Sequence, residues 1–384
     1  MTSATIISTH HVGKPVSRYD GSDKVTGRAR YAADFAAPDM VHAVVVSADI
    51  AVGRVIELDT AAAERLDGVL GVFSHLNCPR VATRDKAYQD QVSPPGSPFR
   101  PFRDDRIMFD GQPIALVVAV DYETARHAAR LVHVVYQQDA ATTEMSTAIT
   151  NAYEPPKKRF GMNGVPDERG ETEDALDSAD IRVDAFYETP PAYHNPMEMH
   201  ATTAIWISDK QIHVHDKTQG SQNSRNYIAA IFGYDKDNVV VEAPYIGGAF
   251  GSGLRPQYQL FLAVLAAQEL KRPVQLMLSR QQMFSFGHRP ETHQTISLGA
   301  TGNGAICAIS HDVVAATSTY EDYQEDVVHW AELLYATENA RYGYKLTKLN
   351  IATPSDMRAP GGGLGMFAIE SVIDELAEDR KAHV

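Results

Sequence analysis

The sequence predicts an α+β fold, with mixed helices and strands throughout its 384 residues. Three observations predict it. A continuous apolar run, a capped helical stretch and a second strand-like run follow one another over 113–136. The second half opens on short β-branched runs rather than on long helical patterns. Two glycine-rich bends, 245–253 and 358–365, each lead into an apolar helical pattern.

Residues 40–47 form an apolar, β-branched run that reads as a strand. Residues 52–58 alternate weakly, with Val55 and Ile56 apolar. They end at Asp59-Thr60, which can cap a short helix over 61–66 that stops at Gly68. Residues 69–74 read as a strand. The proline-rich stretch 93–101 continues neither periodicity and reads as a loop. The continuous apolar run 114–120 is a strand, Asp121 is a good N-cap, 122–131 is helical and 132–136 is a second strand. That pattern leaves open whether the two strands are parallel.

A boundary is expected within 151–170, which holds Pro155-Pro156, Lys157-Lys158 and several glycines. It separates a first segment, 1–150, from a second, 171–384. The acidic run 167–180 reads as solvated. Beyond it, 181–189, 201–207 and 211–216 are strand candidates and 223–232 looks helical. Residues 239–241 lead as a strand into the first bend. Residues 256–270 read as a helix, with Pro256 in its first turn and Leu260, Phe261, Val264, Leu265 and Leu270 near one face. Residues 274–278 follow as a strand. Strands at 295–298 and 306–315 are joined by Gly302-Asn303-Gly304, a hairpin signal. The last helix is expected over 366–378, with Phe367, Ile369, Val372, Ile373 and Leu376 apolar.

The formal net charge is −14, with 35 basic against 49 acidic residues. Nucleic acid and anionic membrane surfaces both call for a basic face, so neither is an expected partner. The two cysteines, Cys78 and Cys307, build no disulfide framework, iron–sulfur cluster or cysteine-rich zinc site. They read as reduced thiols. No apolar run reaches the ~18–20 residues needed to cross a bilayer. Residues 1–14 lack the charged start and apolar stretch of a secretory signal. The expectation is a soluble cytoplasmic protein.

The bend 245–253 carries four glycines in nine residues. Glycines so placed let backbone N–H groups approach a ligand without side chains in the way. Two such bends suggest a large cofactor held by backbone. In 194–200, His194, Glu198 and His200 invite a metal reading, but the spacing does not fit HExxH and Pro196 opposes a helix. A turn entering a strand, with polar groups satisfied locally, is the plainer account. Gln219, just past a strand, offers both a donor and an acceptor. Arg358, beside a glycine turn and a helix start, suits an oxyanion, and a surface arginine is the duller option. The acidic cluster 321–326 lacks EF-hand spacing and reads as a solvated turn. There is no GxSxG elbow, no Walker-type lysine and no GxGxxG at either bend.

Taken together, these stretches resemble the molybdenum-binding large subunit of the xanthine dehydrogenase and aldehyde oxidoreductase family. The opening, Val12-Gly13-Lys14-Pro15, Arg18-Tyr19-Asp20-Gly21 and Lys24-Val25-Thr26-Gly27-Arg28, looks like the family's entry into its hammerhead α/β domain. His194-Asn195-Pro196-Met197-Glu198 resembles the stretch before the first cofactor-binding segment. Gln219 matches the glutamine near the metal's oxo group. Gly247, Gly248, Phe250 and Gly251 match the loop whose backbone approaches the metal centre. Arg358-Ala359-Pro360-Gly361 matches the arginine loop near the active site, which makes Arg358 the catalytic candidate.

The resemblance implies a hammerhead domain over 1–150 and the first part of a molybdopterin-binding domain over 171–384. The implied cofactor is molybdopterin, as the cytosine dinucleotide, with molybdenum held by its dithiolene and by no side chain of this chain. The implied reaction is hydroxylation of aldehydes or N-heterocycles with oxygen from water. Electrons then pass to 2Fe–2S clusters and FAD on partner subunits. One departure stands out. The family's base is a glutamate in a glycine-rich motif near the subunit's end, and this chain stops soon after the helix 366–378. Glu198 matches that base only in chemistry type. The expectation is therefore half of a split subunit or a truncated piece, inactive without a second chain, with a non-catalytic remnant or assembly module as the alternative. Carbon monoxide oxidation is disfavoured, because that branch carries an active-site cysteine and neither Cys78 nor Cys307 lies near Arg358 in sequence. Substrate and electron acceptor stay open.

Overall fold

A computed structural model describes residues 13–79, 81, 99–156, 158, 162–285 and 287–379. Fourteen strands lie among them: β1 (Val41–Ser47), β2 (Gly53–Asp59), β3 (Val69–Ser74), β4 (Arg106–Ile107), β5 (Pro113–Ala119), β6 (His133–Gln138), β7 (Ile181–Thr189), β8 (Ala201–Ser208), β9 (Gln211–Asp216), β10 (Val239–Glu242), β11 (Val274–Met277), β12 (Thr292–Ala300), β13 (Ile306–Ser318) and β14 (Asn339–Leu349). They form three sheets. The largest runs β10-β9-β8-β11-β1-β5-β3, a second runs β14-β13-β12-β7, and a small one runs β4-β2-β6.

The seven-stranded sheet passes through the expected boundary at 151–170. β1 from the first segment pairs in parallel with β11 from the second, Val41 opposite Val274, and β5 continues antiparallel on its other side. β5 is buried along its whole length. Its alternate residues face opposite ways, so Leu116 and Val118 join one core while Ala115 and Val117 join another. The strand–helix–strand run of 113–136 is present, with Asp121 capping its helix by accepting from the Thr124 N–H at 2.7 Å. Its two strands lie in different sheets, β5 in the seven-stranded one and β6 in the three-stranded one.

The helix Tyr258–Leu270 is buried from Tyr258 to Ala267 on every side, not along one stripe, and it fills the largest core with β8, β9, β11 and the helix Ser221–Phe232. Pro256 lies outside it, ahead of the first turn. The second core joins β12, β13 and β14 to the helix Gly362–Asp379 through Ile296, Val313, Leu346, Ile369 and Val372. That helix begins earlier than expected. Glycines are poor helix formers, but here they permit close contact: a Cβ on Gly365 would stand 2.0 Å from the Val327 carbonyl oxygen. β12 and β13 form the expected hairpin, and β14, which pairs in parallel with β13, is an addition to the expected strands. Most of the stretch 93–101 lies outside the described residues. Among the described residues no helix is long and apolar enough to cross a membrane.

Candidate functional site

The two glycine-rich bends meet. The Arg358 N–H donates to the Phe250 carbonyl at 2.8 Å. A Cβ on Gly251 would stand 1.9 Å from the Asp356 carbonyl oxygen, and Gly251 has φ +115°, a conformation L side chains rarely adopt. Gly248 and Phe250 also have positive φ, +93° and +59°. Phe250 leaves 48% of its surface exposed.

Gln219 ties the end of β9 into the same structure. Its N–H donates to the Gly253 carbonyl at 2.8 Å. Its side-chain oxygen Oε1 accepts from the N–H groups of Gly251 and Gly253 at 3.0 and 3.3 Å. The acceptor half of this amide is thus spent on the protein, while Nε2 has no partner among the described residues. Gly247 is spent on both sides. Its N–H donates to Glu198 Oε2 at 2.7 Å and its carbonyl accepts from the Glu198 N–H at 3.0 Å. Beyond Gly247 runs a stretch of three consecutive amides, Gly248, Ala249 and Phe250, with no hydrogen-bond acceptor among the described residues.

The second bend differs. The Gly361 N–H donates to Glu325 Oε2 at 2.8 Å, and the N–H groups of Gly363 and Gly365 close onto Ala359 and Gly361 within the turn. Arg289 Nη2 donates to the Met357 carbonyl at 3.2 Å and also to that of Arg358. The Arg358 guanidinium itself is exposed and unpaired among the described residues.

The stretch 194–200 braces both bends. His194 Nε2 lies 2.8 Å from the Asp356 carbonyl, Glu198 holds Gly247, and His200 Nε2 lies 3.0 Å from Ser252 Oγ. It is a turn entering β8, as the plainer account has it, but its polar groups find partners far away in sequence. The three side chains aim at three different places rather than at one ion.

Sequence reasoning missed a buried cation beneath the first bend. Lys217 Nζ lies 2.9 Å from His200 Nε2 and 3.3 Å from Ser252 Oγ, and the serine hydroxyl donates to the Ala249 carbonyl at 2.8 Å. Burial pulls Lys217 down to about 8, against the pull of Glu198 and Asp216. Burial also keeps His200 neutral, well below the usual histidine range, and raises the Asp216 carboxyl, which accepts from Thr202 and Ser224 hydroxyls at 2.7 and 2.8 Å. The adjacent charges Asp216-Lys217 at a strand end were the available signal.

The acidic cluster 321–326 is not a solvated turn. Tyr323 and Glu325 are 1% exposed, and Glu321 pairs with Arg255, with one N···O contact at 3.3 Å. The segment follows β13 into the second core, and its charge is met there by Arg255, the Gly361 amide and the Tyr323 hydroxyl. Burial pushes the Glu325 carboxyl up to about 7.

The family model of the molybdopterin cofactor-binding domain matches residues 156–383, and that of the aldehyde oxidase and xanthine dehydrogenase a/b hammerhead domain matches 26–140. This chain belongs to the xanthine dehydrogenase and aldehyde oxidoreductase family of molybdenum-binding subunits. It is 36% identical over 371 residues to the aldehyde oxidoreductase molybdenum-binding subunit PaoC of Escherichia coli K12, covering 96% of this chain and 48% of that one. It is 28% identical to the putative xanthine dehydrogenase molybdenum-binding subunit XdhA of the same strain, covering 94% of this chain and 49% of that one. The fold superposes on an aldehyde oxidoreductase from Desulfovibrio gigas with TM-score 0.81 and 26% identity, over 95% of this chain and 42% of that one. This family chain spans about half the length of the curated relatives it matches.

Proposed function

We propose that this chain holds a molybdopterin, as the cytosine dinucleotide carrying molybdenum, in a hydroxylase that oxidises aldehydes or N-heterocycles. The observation that carries the reading is the run of free amides at Gly248, Ala249 and Phe250, set where two distant bends meet. An anionic group fits such a place, because clustered N–H dipoles stabilise negative charge. When bound, the group would supply the redox centre that hydroxylates an electron-poor carbon with oxygen from water.

The chain's own residues would hold and orient it. The three amides would donate to its oxygens or sulfurs. Gln219 Nε2, its oxygen fixed by Gly251 and Gly253, would offer one more donor in a set direction. The unpaired Arg358 guanidinium would face substrate or an oxyanion. Gly247 and Gly251 would serve by shape: no side chain fits where their backbones press on Glu198 and Asp356. Lys217 would hold the bend from below and add positive charge. We assign 1–150 to the hammerhead domain, 151–170 to a linker and 171–384 to the first part of the cofactor domain. Iron–sulfur and FAD subunits are the proposed electron acceptors, and a further polypeptide segment the proposed source of the base.

The test is element and pterin analysis of the protein isolated with its co-purifying subunits. Molybdenum and pterin in near-equal amounts, with iron and FAD in the same complex, are expected. A complex containing neither molybdenum nor pterin sinks the reading.

A further inference from the structure

One cluster of ligand-type side chains lies apart from the two bends and takes no part in them. His213 and His215 stand two residues apart on β9 and therefore on the same face of the sheet. Glu242 lies opposite His215 in the parallel register of β10 on β9. His213 Nε2 is 2.8 Å, and His215 Nδ1 3.6 Å, from the same carboxylate oxygen, Glu242 Oε2. One donor atom from each of the three falls within 4.8 Å of the others. Donors about 2.0–2.1 Å from a tetrahedral zinc stand roughly 3.3 Å apart, so small side-chain rotations close the set.

The deeper ligand is held in place before any ion arrives. The His215 ring stacks on Phe35 with centroids 3.6 Å apart and an interplanar angle of 2°, and the Arg30 guanidinium covers Phe35 at 4.5 Å. His215 is 6% exposed, and its Nδ1 is buried without a hydrogen-bond partner. Leaving such an atom unsatisfied is destabilising, and a bound cation would satisfy it. The outer ligands reach solvent: the side chains of His213 and Glu242 are 34% and 53% exposed. An ion can enter from that side and keep water in its remaining position.

We propose that His213, His215 and Glu242 form a binding site for a divalent transition-metal ion, zinc foremost, completed by water. Two imidazoles and one carboxylate suit a borderline-soft cation, whereas calcium and magnesium take nearly all-oxygen shells. β10 is the edge strand of its sheet, and the ion fastens its last residue to β9. β9 runs on to Lys217 and Gln219, and β10 runs on to the bend 245–253. The ion thus braces both approaches to the first bend.

The test is a titration of Co2+ into the purified cofactor-containing protein after chelator dialysis, read by absorbance. One equivalent with tetrahedral d–d bands, displaced by Zn2+, is expected. His213→Ala and Glu242→Gln, which alter partly exposed side chains, should each lose that binding while keeping the wild-type circular dichroism. A wild-type protein that binds no Co2+ at micromolar concentration, or variants that bind it as before, overturns the proposal. Molybdenum is measured in the same samples, so failure here is separable from failure of the cofactor reading.

Discussion

The bends 245–253 and 358–365 look alike in sequence but differ in where most of their N–H groups go. In the first, glycine leaves three backbone amides bare at Gly248, Ala249 and Phe250. In the second, glycine lets neighbours press in. A Cβ on Gly362 would stand 3.1 Å from the Trp330 ring, one on Gly363 2.6 Å from the Arg289 guanidinium, and one on Gly365 2.0 Å from the Val327 carbonyl. Its Gly361, Gly363, Leu364 and Gly365 amides are taken by Glu325 and by its own turn. Glycine content alone therefore does not separate a surface kept open for a ligand from a surface kept small for packing. What separates them is where the N–H groups go.

This contrast can be broken by substitution. The largest effect is expected from Gly251→Val, which drives a side chain into the Asp356 backbone at a strained φ. Molybdenum content should fall to background while circular dichroism still reports folded sheets. Retained molybdenum would remove Gly251 from the site. Gly365→Ala comes next. Helix propensity favours alanine by up to ~1 kcal/mol, but overpacking against backbone costs about 1–3 kcal/mol, so the clash wins. A lower denaturation midpoint with normal molybdenum per folded protein is expected; loss of molybdenum without loss of stability would put the second bend on the same footing as the first.

The smallest effect sharpens the comparison by pH. Glu325, which consumes an amide of the second bend, has its carboxyl raised from 4.5 to about 7 by burial. Between those values the unfolded chain has released the proton that the folded chain still holds. Stability from this group is thus full below about 4.5 and declines as pH rises toward about 7. Denaturant midpoints of wild type should fall relative to Glu325→Gln across that window and run parallel above it. Parallel profiles throughout would mean that Glu325 titrates normally.

The strands and helices were largely legible because their signals are local. The uninterrupted apolar run of β5 marked a strand buried on both faces, and Asp121 marked a helix start. β14 is missing from the expected strands although inward Ala340, Tyr342, Tyr344 and Leu346 alternate with outward Arg341 and Lys345, a period-two signal present in the sequence. Sheet membership was not legible: nothing near β1 says that its parallel neighbour lies more than two hundred residues away. The motif residues Gln219, Gly251 and Arg358 do lie together, Gln219 bonding Gly251 and the Arg358 N–H bonding Phe250, as the family resemblance implies. Which amides stay bare was hidden, because remote side chains decide it: Glu198 takes Gly247, Gln219 takes Gly251, and Glu325 takes Gly361. The buried acidic segment was misjudged for the same reason, since its cationic partner Arg255 lies 66 residues upstream of Glu321.

β1 lies between β11 and β5 in one continuous sheet. Two regions matched by separate family models thus share a single hydrogen-bonded slab. Excising residues 13–150 would not yield a tidy remainder: it would strip β11 of its neighbour and leave a raw flank open to other chains. The front and rear portions thus depend on each other for a closed set of backbone hydrogen bonds.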